Sequence, residues 1–433
     1  MKKLELLMPA GNFEKMKYAF AYGADAVYAG VPMFSLRARE NQFSWEDLEE
    51  AVKYAHDRSK KIYFTANIYA HNMKIKPFME AFKKMYAMKP DAFIMSDPGL
   101  IGMVRKDYPD AEIHLSVQAN NTNWAQVKFW QEVGIKRIIL SREISLREIK
   151  EIHENCPDME LEFFVHGAIC MAYSGRCLLS NYMAHRDPNQ GTCAHSCRWE
   201  YRVYKNEVTG NDLYENTGRP EDYKSLDGEY FLEERERKGE LLPVDEDEFG
   251  TYIMNSRDMC LLDYMEELKD AGIISFKVEG RSKTINYLAG VGRAYRQAID
   301  AVEKGEQYDT GELIKELFAI SNRGYIPGFI TGDVGEKSIY YEKNAELKEE
   351  DFVGIVRGYD ELTKMAEIEV KNRFDIGQTL RLITPESQFE FVLDKITDMN
   401  LNEKESAHGG SFNVRINLPE DPGEYAILRR KFV

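Results

Sequence analysis

In its first 170 residues the chain alternates seven short apolar strand patterns with six amphipathic helical ones, and this beat restricts the fold more than any other feature. The expected strands are Glu5–Met8, Ala26–Ala29, Lys61–Ala66, Ala92–Ser96, Glu112–Val117, Arg137–Leu140 and Glu160–Val165. Between them, apolar residues at i, i+3 and i+4 predict helices over Phe13–Tyr22, Trp45–Asp57, Pro77–Met88, Gly99–Tyr108, Trp124–Val133 and Ser145–Asn155. Gly23 and Gly134 stand where helix C-caps belong, and Ser145 with Glu148 has capping-box spacing. An eighth unit comes late: a helix expected over Asp258–Ala271, a strand over Ile274–Val278 and a long helix over Asn286–Lys304. About eight parallel βα units indicate an α/β chain with a (β/α)8, TIM-barrel-like domain. An open doubly wound sheet is the competitor, because a sequence does not show closure.

The beat is interrupted by an acidic, turn-rich stretch at about 198–252, which reads as a β-rich insertion. It stops altogether near residue 321. The expected organisation is a barrel domain over 1–320, a Gly/Pro-bearing connector over 321–345, and a C-terminal domain over 346–433. Five or six short alternating strands there (FVGIVRGY, MAEIEVKNRF, TLRLITPES, FEFVLDKITD, SFNVRINLP) predict a small β-barrel.

A formal charge of -16, from 57 basic against 73 acidic residues, argues against a chain-wide electrostatic grip on nucleic acid or anionic lipid. The compact basic runs, Lys74-Ile75-Lys76 and Leu428-Arg429-Arg430-Lys431, read as solvated faces. No apolar run is long enough to span a bilayer, and the N-terminus lacks the apolar core of a signal peptide. The expectation is a cytoplasmic protein with reduced thiols.

Six cysteines are too few for a disulfide scaffold, yet Cys170, Cys177, Cys193 and Cys197 crowd into C-x6-C-x15-C-x3-C directly after the seventh strand. In a barrel, that position is the C-terminal mouth, where active sites sit. Four thiolates suit zinc or an iron–sulfur cluster. Structural zinc favours tight pairs, and only the second pair here is tight, so the spacing leans towards iron–sulfur. Four separate buried thiols are the plain alternative. Cys156 and Cys260 read as packing residues on helices, with Cys260 a substitute fourth ligand.

The stretches ELEFFVHGAICMAYSGRCLLSNY (160–182) and HRDPNQGTCAHSCRWEY (185–201) resemble the signature of the peptidase U32 family, as do LMPAGNFEKMKYAFAYGADAVYAG (7–30), SVQANNTN (116–123) and FKVEGR (276–281). The resemblance spans nearly the whole chain and is closest to the branch that hydroxylates tRNA. It implies a cysteine-bound 4Fe-4S cluster and prephenate-dependent formation of 5-hydroxyuridine at the wobble position, with the tRNA anticodon loop as substrate. It also implies that Cys170, Cys177 and Cys193 match the cluster ligands of relatives in ubiquinone biosynthesis, Cys197 being the least constrained. A protein partner or a homo-oligomer is a further expectation.

The family's older label is collagenase-like protease, and the residues give it little. There is no H-E-x-x-H and no G-x-S-x-G. A Cys170–His166 dyad is the one nucleophile–base pair on offer, and a thiolate held by iron is not a free nucleophile. A peptidase and a non-catalytic, cluster-bearing subunit stand as the alternatives. Strand ends expected at the mouth include Pro9–Asn12, Tyr28–Gly30, Asn67, Ser96–Asp97, Gln118, Arg142–Glu143, His166–Gly167 and Glu279–Arg281. From these, His166, Gln118 and Asn67 are the candidate catalytic residues, the latter two for a uracil edge. Arg37, Arg142 and Arg281 are candidates to clamp the carboxylates of prephenate. Gly290-Val291-Gly292 lacks the third glycine of a dinucleotide fingerprint.

Overall fold

The strand–helix beat folds as a closed barrel. The structure, a computed structural model, describes residues 3–36, 42–170, 172–174, 176–184, 187, 189, 196–198, 256–332, 349–410 and 413–431. Within the insertion it describes the backbone of short strands only: 204–205, 224–225, 230–233, 241–246 and 251–252.

The barrel strands are β1 (Glu5–Ala10), β2 (Ala26–Gly30), β3 (Lys61–Thr65), β4 (Ala92–Met95), β5 (Ile113–Leu115), β6 (Arg137–Ile139), β7 (Glu160–Ala168) and β8 (Ile273–Val278). Each pairs in parallel with the next, and β8 pairs in parallel with both β7 and β1, which closes the ring. An open sheet is thereby excluded. The helices are α1 (Phe13–Ala21), α2 (Trp45–His56), α3 (Asn72–Ala87), α4 (Pro98–Asp107), α5 (Trp124–Glu132) and α6 (Leu146–Asn155), followed after β8 by the long helix Ile285–Lys304. Their ends are set by local chemistry. Ser44 and Ser145 close full capping boxes with Asp47 and Glu148. Gly23 and Gly134 follow α1 and α5 at φ 105° and 88°, a region that favours glycine. Helix α3 begins five residues ahead of Pro77, which lies inside it, so the proline does not mark the start.

One expected helix is different. Asp258–Cys260 forms a strand antiparallel to the end of β7, with Cys260 opposite His166; only Met265–Asp270 is α-helical. Strand β7 runs beyond the ring and leaves an edge that this segment covers. All three strand residues are buried, and Asp258 is locked to Arg323 at 2.5 Å. Three consecutive buried residues carry no helical stripe, so periodicity misread them.

The C-terminal domain is β-rich around its own core of Val353, Ile368, Leu380, Leu382, Ile396 and Ile416, among others. Its sheet runs Gln388–Val392, Thr379–Ile383, Ile427–Lys431, Glu350–Asp360, Met365–Val370, Val414–Asn417, Ile396–Asp398, Glu403–Lys404. The antiparallel pair Phe374–Asp375 and Ser406–Ala407 adds Phe374 and Ala407 to that core. No ladder joins the two outer strands among the described residues.

The domain docks on the barrel through Tyr18, Tyr22, Ile285 and Ala289 on one side and Ile355, Ile383 and Ile427 on the other. Arg429 is the polar centre of this junction. It is wholly buried, with Nε 2.5 Å from Asn286 Oδ1 and Nη1 2.6 Å from Glu316 Oε1. The reading of residues 428–431 as a solvated face is therefore wrong for Arg429. Its charge is accepted because Glu316 and Glu350 surround it. Gly290 leaves the room: a Cβ there would lie 2.8 Å from Arg429 Nη2. Among the described residues no helix is long and apolar enough to cross a membrane.

Candidate functional site: a thiol-roofed cavity at the barrel mouth

The segment after β7 arches over the mouth of the barrel. It leaves the rim at Ala168, whose carbonyl oxygen accepts from Arg142 Nη1 at 2.7 Å. Ser174, almost completely buried, is held from three sides in the loops after β5 and β6. Its amide and hydroxyl donate to Glu143 Oε1 at 2.7 and 2.9 Å, its hydroxyl accepts from Arg142 Nε at 3.1 Å, and its carbonyl accepts from Asn120 Nδ2 at 2.9 Å. Arg176 then reaches Tyr69, after β3, at 3.4 Å. Strands β7 and β3 are opposite one another in the ring. The loop therefore spans the whole opening and forms a roof.

Beneath it lies a cavity lined by Tyr28, Asn67, Ser116, Arg142, Phe164, Cys170, Cys177, Asn189, Lys277, Glu279 and Arg281, with apolar residues between them. Cys170 and Cys177 face it from the roof. Asn189 helps to hold the roof closed: its Nδ2 donates to the Cys177 carbonyl at 3.2 Å, and its own carbonyl accepts from the Tyr69 amide at 3.3 Å.

Five of the sequence-expected site residues thus meet in one cavity: Asn67, Arg142, Arg281, Cys170 and Cys177. Asn67 is fixed there, with Oδ1 accepting from the Leu36 amide at 3.0 Å and Nδ2 donating to Ser116 Oγ at 3.1 Å. Arg142 spends its donors on Ser174 and Ala168 and stacks 4.7 Å from the Phe164 ring. Arg281 Nη1 donates to Ser35 Oγ at 2.5 Å. Cys197 is half-buried on the short turn Ser196–Arg198. Arg37 and Cys193 lie outside the described residues.

Two expected residues are elsewhere. Gln118 is fully buried behind the cavity wall, its Oε1 accepting from Ser96 Oγ at 3.3 Å and its Nε2 without a hydrogen-bond partner among the described residues. His166 packs among Tyr287, Tyr295 and Tyr325, with Nδ1 3.4 Å from Tyr295 Oη. It forms no hydrogen bond with Cys170, so the dyad is not assembled. Cys260 likewise stands against Tyr295 at 3.6 Å, away from the cavity lining, and burial pushes its thiol up to about 11. That is the environment of a packed thiol and not of a ligand in the roof.

Burial drives His166 down to about 3, against a smaller opposing pull from Asp258. The folded chain holds the ring neutral, whereas an unfolded histidine takes a proton below about pH 6.5. Its contribution is complete above that pH and drains away as pH falls. Urea unfolding is expected to show about 1–2 kcal/mol lost through His166 between pH 6.5 and 5. His166→Asn should flatten that part of the profile; an unchanged slope would contradict the assignment.

Below the cavity the barrel interior is ionic where apolar layers are usual. Arg137 Nη1 lies 2.5 Å from Glu5 and 3.3 Å from Glu162, and its Nη2 lies 3.1 Å from Glu160. Glu5 also accepts from Tyr63 Oη at 2.6 Å and Ser275 Oγ at 2.8 Å. Burial works against its charge, and Arg137 with these donors more than offsets it, holding the carboxyl below its ordinary range. The top of this column is Lys277, which sequence reasoning missed. A signal was present: Ser275 and Lys277 alternate along β8, as Glu160 and Glu162 do along β7, and alternate strand residues share one face.

Two family models cover the chain: that of peptidase family U32 matches residues 11–340, and that of the peptidase family U32 C-terminal domain matches residues 348–429. The chain is 45% identical to tRNA hydroxylation protein P of Escherichia coli strain K12, over 100% of this chain and 98% of that protein. It is 34% identical over the full length of both chains to a protein of Methanocaldococcus jannaschii described as an uncharacterized protease. To the 23S rRNA 5-hydroxycytidine C2501 synthase of Escherichia coli it is 28% identical, over 97% of this chain and 57% of that one. Full-length agreement with both family models and with such relatives has one consequence: this chain belongs to peptidase family U32.

Proposed function

We propose that the chain is a tRNA-modifying hydroxylase that installs 5-hydroxyuridine at the wobble position, with prephenate as a required small molecule and a 4Fe-4S cluster held by Cys170, Cys177, Cys193 and Cys197. The observation that carries the reading is the cavity itself, roofed by two thiols and set in a chain 45% identical, end to end, to a tRNA hydroxylation protein. The relative that makes 5-hydroxycytidine in rRNA points to the same chemistry, hydroxylation at C5 of a pyrimidine in RNA. The donor set fits a soft metal group: Cys170 and Cys177 face one cavity, and Cys193 and Cys197 follow on the same segment. Among the described residues no three ligands are gathered, so Cys197 does not stand with Cys170 and Cys177 there, and Cys193 lies outside the described residues. When bound, the cluster would supply redox chemistry at the roof. The chain's own residues then bind and orient: Asn67 and Ser116 offer polar edges to a base, and Arg142 and Arg281 make the walls cationic.

On this reading the barrel domain, 1–320, carries the chemistry, and the protein works in the cytoplasm beside tRNA. The -16 charge makes the grip on tRNA local and shape-selective, with a protein partner or second copy assisting. The peptidase alternative gains nothing from the site, because His166 is turned to Tyr295 instead of to Cys170.

The test is complementation. Expressed in a bacterial strain deleted for its own tRNA hydroxylation proteins, the chain is expected to restore 5-hydroxyuridine derivatives in digested tRNA. Nucleosides that stay at the level of the deletion strain would remove the proposal.

A further inference from the structure

Among the described residues the charged lining of the cavity is unbalanced. Arg142, Lys277 and Arg281 face it against the carboxylate of Glu279. Each arginine gives part of its fork to the protein: Arg142 to Ser174 and Ala168, and Arg281 through Nη1 to Ser35. Lys277 is held by one acceptor among the described residues. Its side chain is almost fully buried, and its one hydrogen bond among the described residues runs to Glu162 Oε1 at 2.7 Å. The ammonium also sits 4.5 Å from the Tyr28 ring and 5.3 Å from that of Phe164. Aromatic faces stabilise a cation without taking a hydrogen bond from it. An ammonium has three N–H donors, so two have no acceptor among the described residues, and the lysine lines a cavity. Burying a lysine this way is costly unless something completes its partners.

We propose that Lys277 is the anion-binding floor of the cavity, donating to a carboxylate of a small organic acid that enters between it and the thiol-bearing roof. The inference deepens the hydroxylation reading and rests on it for the presence of an acid ligand, but it moves recognition from the arginines to the lysine. Burial lowers the Lys277 pKa while Glu162 opposes that effect, and an arriving carboxylate would stabilise the charged form further. Glu162 shares its other oxygen with Arg137 and Ser275, so it holds the lysine upright without saturating it.

The test is thermal melting of the full-length protein titrated with pyruvate, malonate and prephenate. The wild type is expected to be stabilised by at least one of them. Lys277→Gln should weaken that binding at least tenfold, while Lys277→Arg, which keeps the charge, should retain most of it. If Lys277→Gln does not fold, the double variant Lys277→Met with Glu162→Gln removes both charges together and leaves neither orphaned; it should show the same loss. A neutral variant that binds the acids within twofold of wild type would overturn the proposal, as would a wild type that none of the three stabilises. Either failure leaves the complementation result untouched, so the two readings are separable.

Discussion

Replacing Arg137 with methionine is expected to destabilise the chain by about 3–5 kcal/mol, the range for removing one partner from a buried ionic network. Arg137 is 5% exposed, and its guanidinium touches Glu5, Glu160 and Glu162, all inside or at the lower end of the barrel. Burial opposes its charge, and the surrounding carboxylates more than restore it, so it stays protonated at any working pH. Methionine of similar length would fill much of the space yet leave Glu5 and Glu162 with only Lys277, beside Glu162, and the half-exposed Lys61, 3.9 Å from Glu5, as cations among the described residues. Either a carboxylate takes up a proton or water enters the barrel. Urea unfolding followed by circular dichroism checks the magnitude. Adding Glu5→Gln to Arg137→Met should recover a good part of the loss, because the uncompensated charge goes with it. A single variant that unfolds within about 1 kcal/mol of wild type would show that the column is not held by Arg137.

The second large effect concerns the roof. Cys177→Ala is expected to abolish cluster binding while leaving the fold in place. The arch keeps its shape through Ser174, Glu143, Arg142, Asn120 and the Arg176–Tyr69 contact, none of which involves a thiol. Cys177 contributes its carbonyl to Asn189, and alanine retains that carbonyl. Anaerobically purified wild type should be brown and carry about four iron atoms per chain. The variant should be colourless, with the melting temperature of wild type stripped of its cluster. A wild type holding one zinc and no iron would contradict the cluster.

The sequence exposed the barrel because each strand is a short run between amphipathic helices, and capping residues such as Ser145 mark the starts. It misread Asp258–Cys260, where a strand is made only by the spare edge of β7, a partner about 90 residues away. The buried Arg429 escaped for a related reason: its counter-charges come from Glu316 and Glu350, on other elements. Of the site, the roof was legible, since four cysteines after a barrel strand announce a mouth. Its floor was not, because Lys277 looks like any strand lysine until Glu162, Tyr28 and Phe164 close around it. His166 and Gln118 were chosen for their place near strand ends, and the neighbouring tyrosines and the cavity wall take them out of reach.

The central claim is that the thiol-roofed cavity is where tRNA hydroxylation depends on this chain. Its most direct test is the 5-hydroxyuridine content of tRNA from the deletion strain expressing Cys177→Ala at the same protein level as wild type. The account predicts restoration by the wild type and a background level for the variant. Equal 5-hydroxyuridine from both would contradict it.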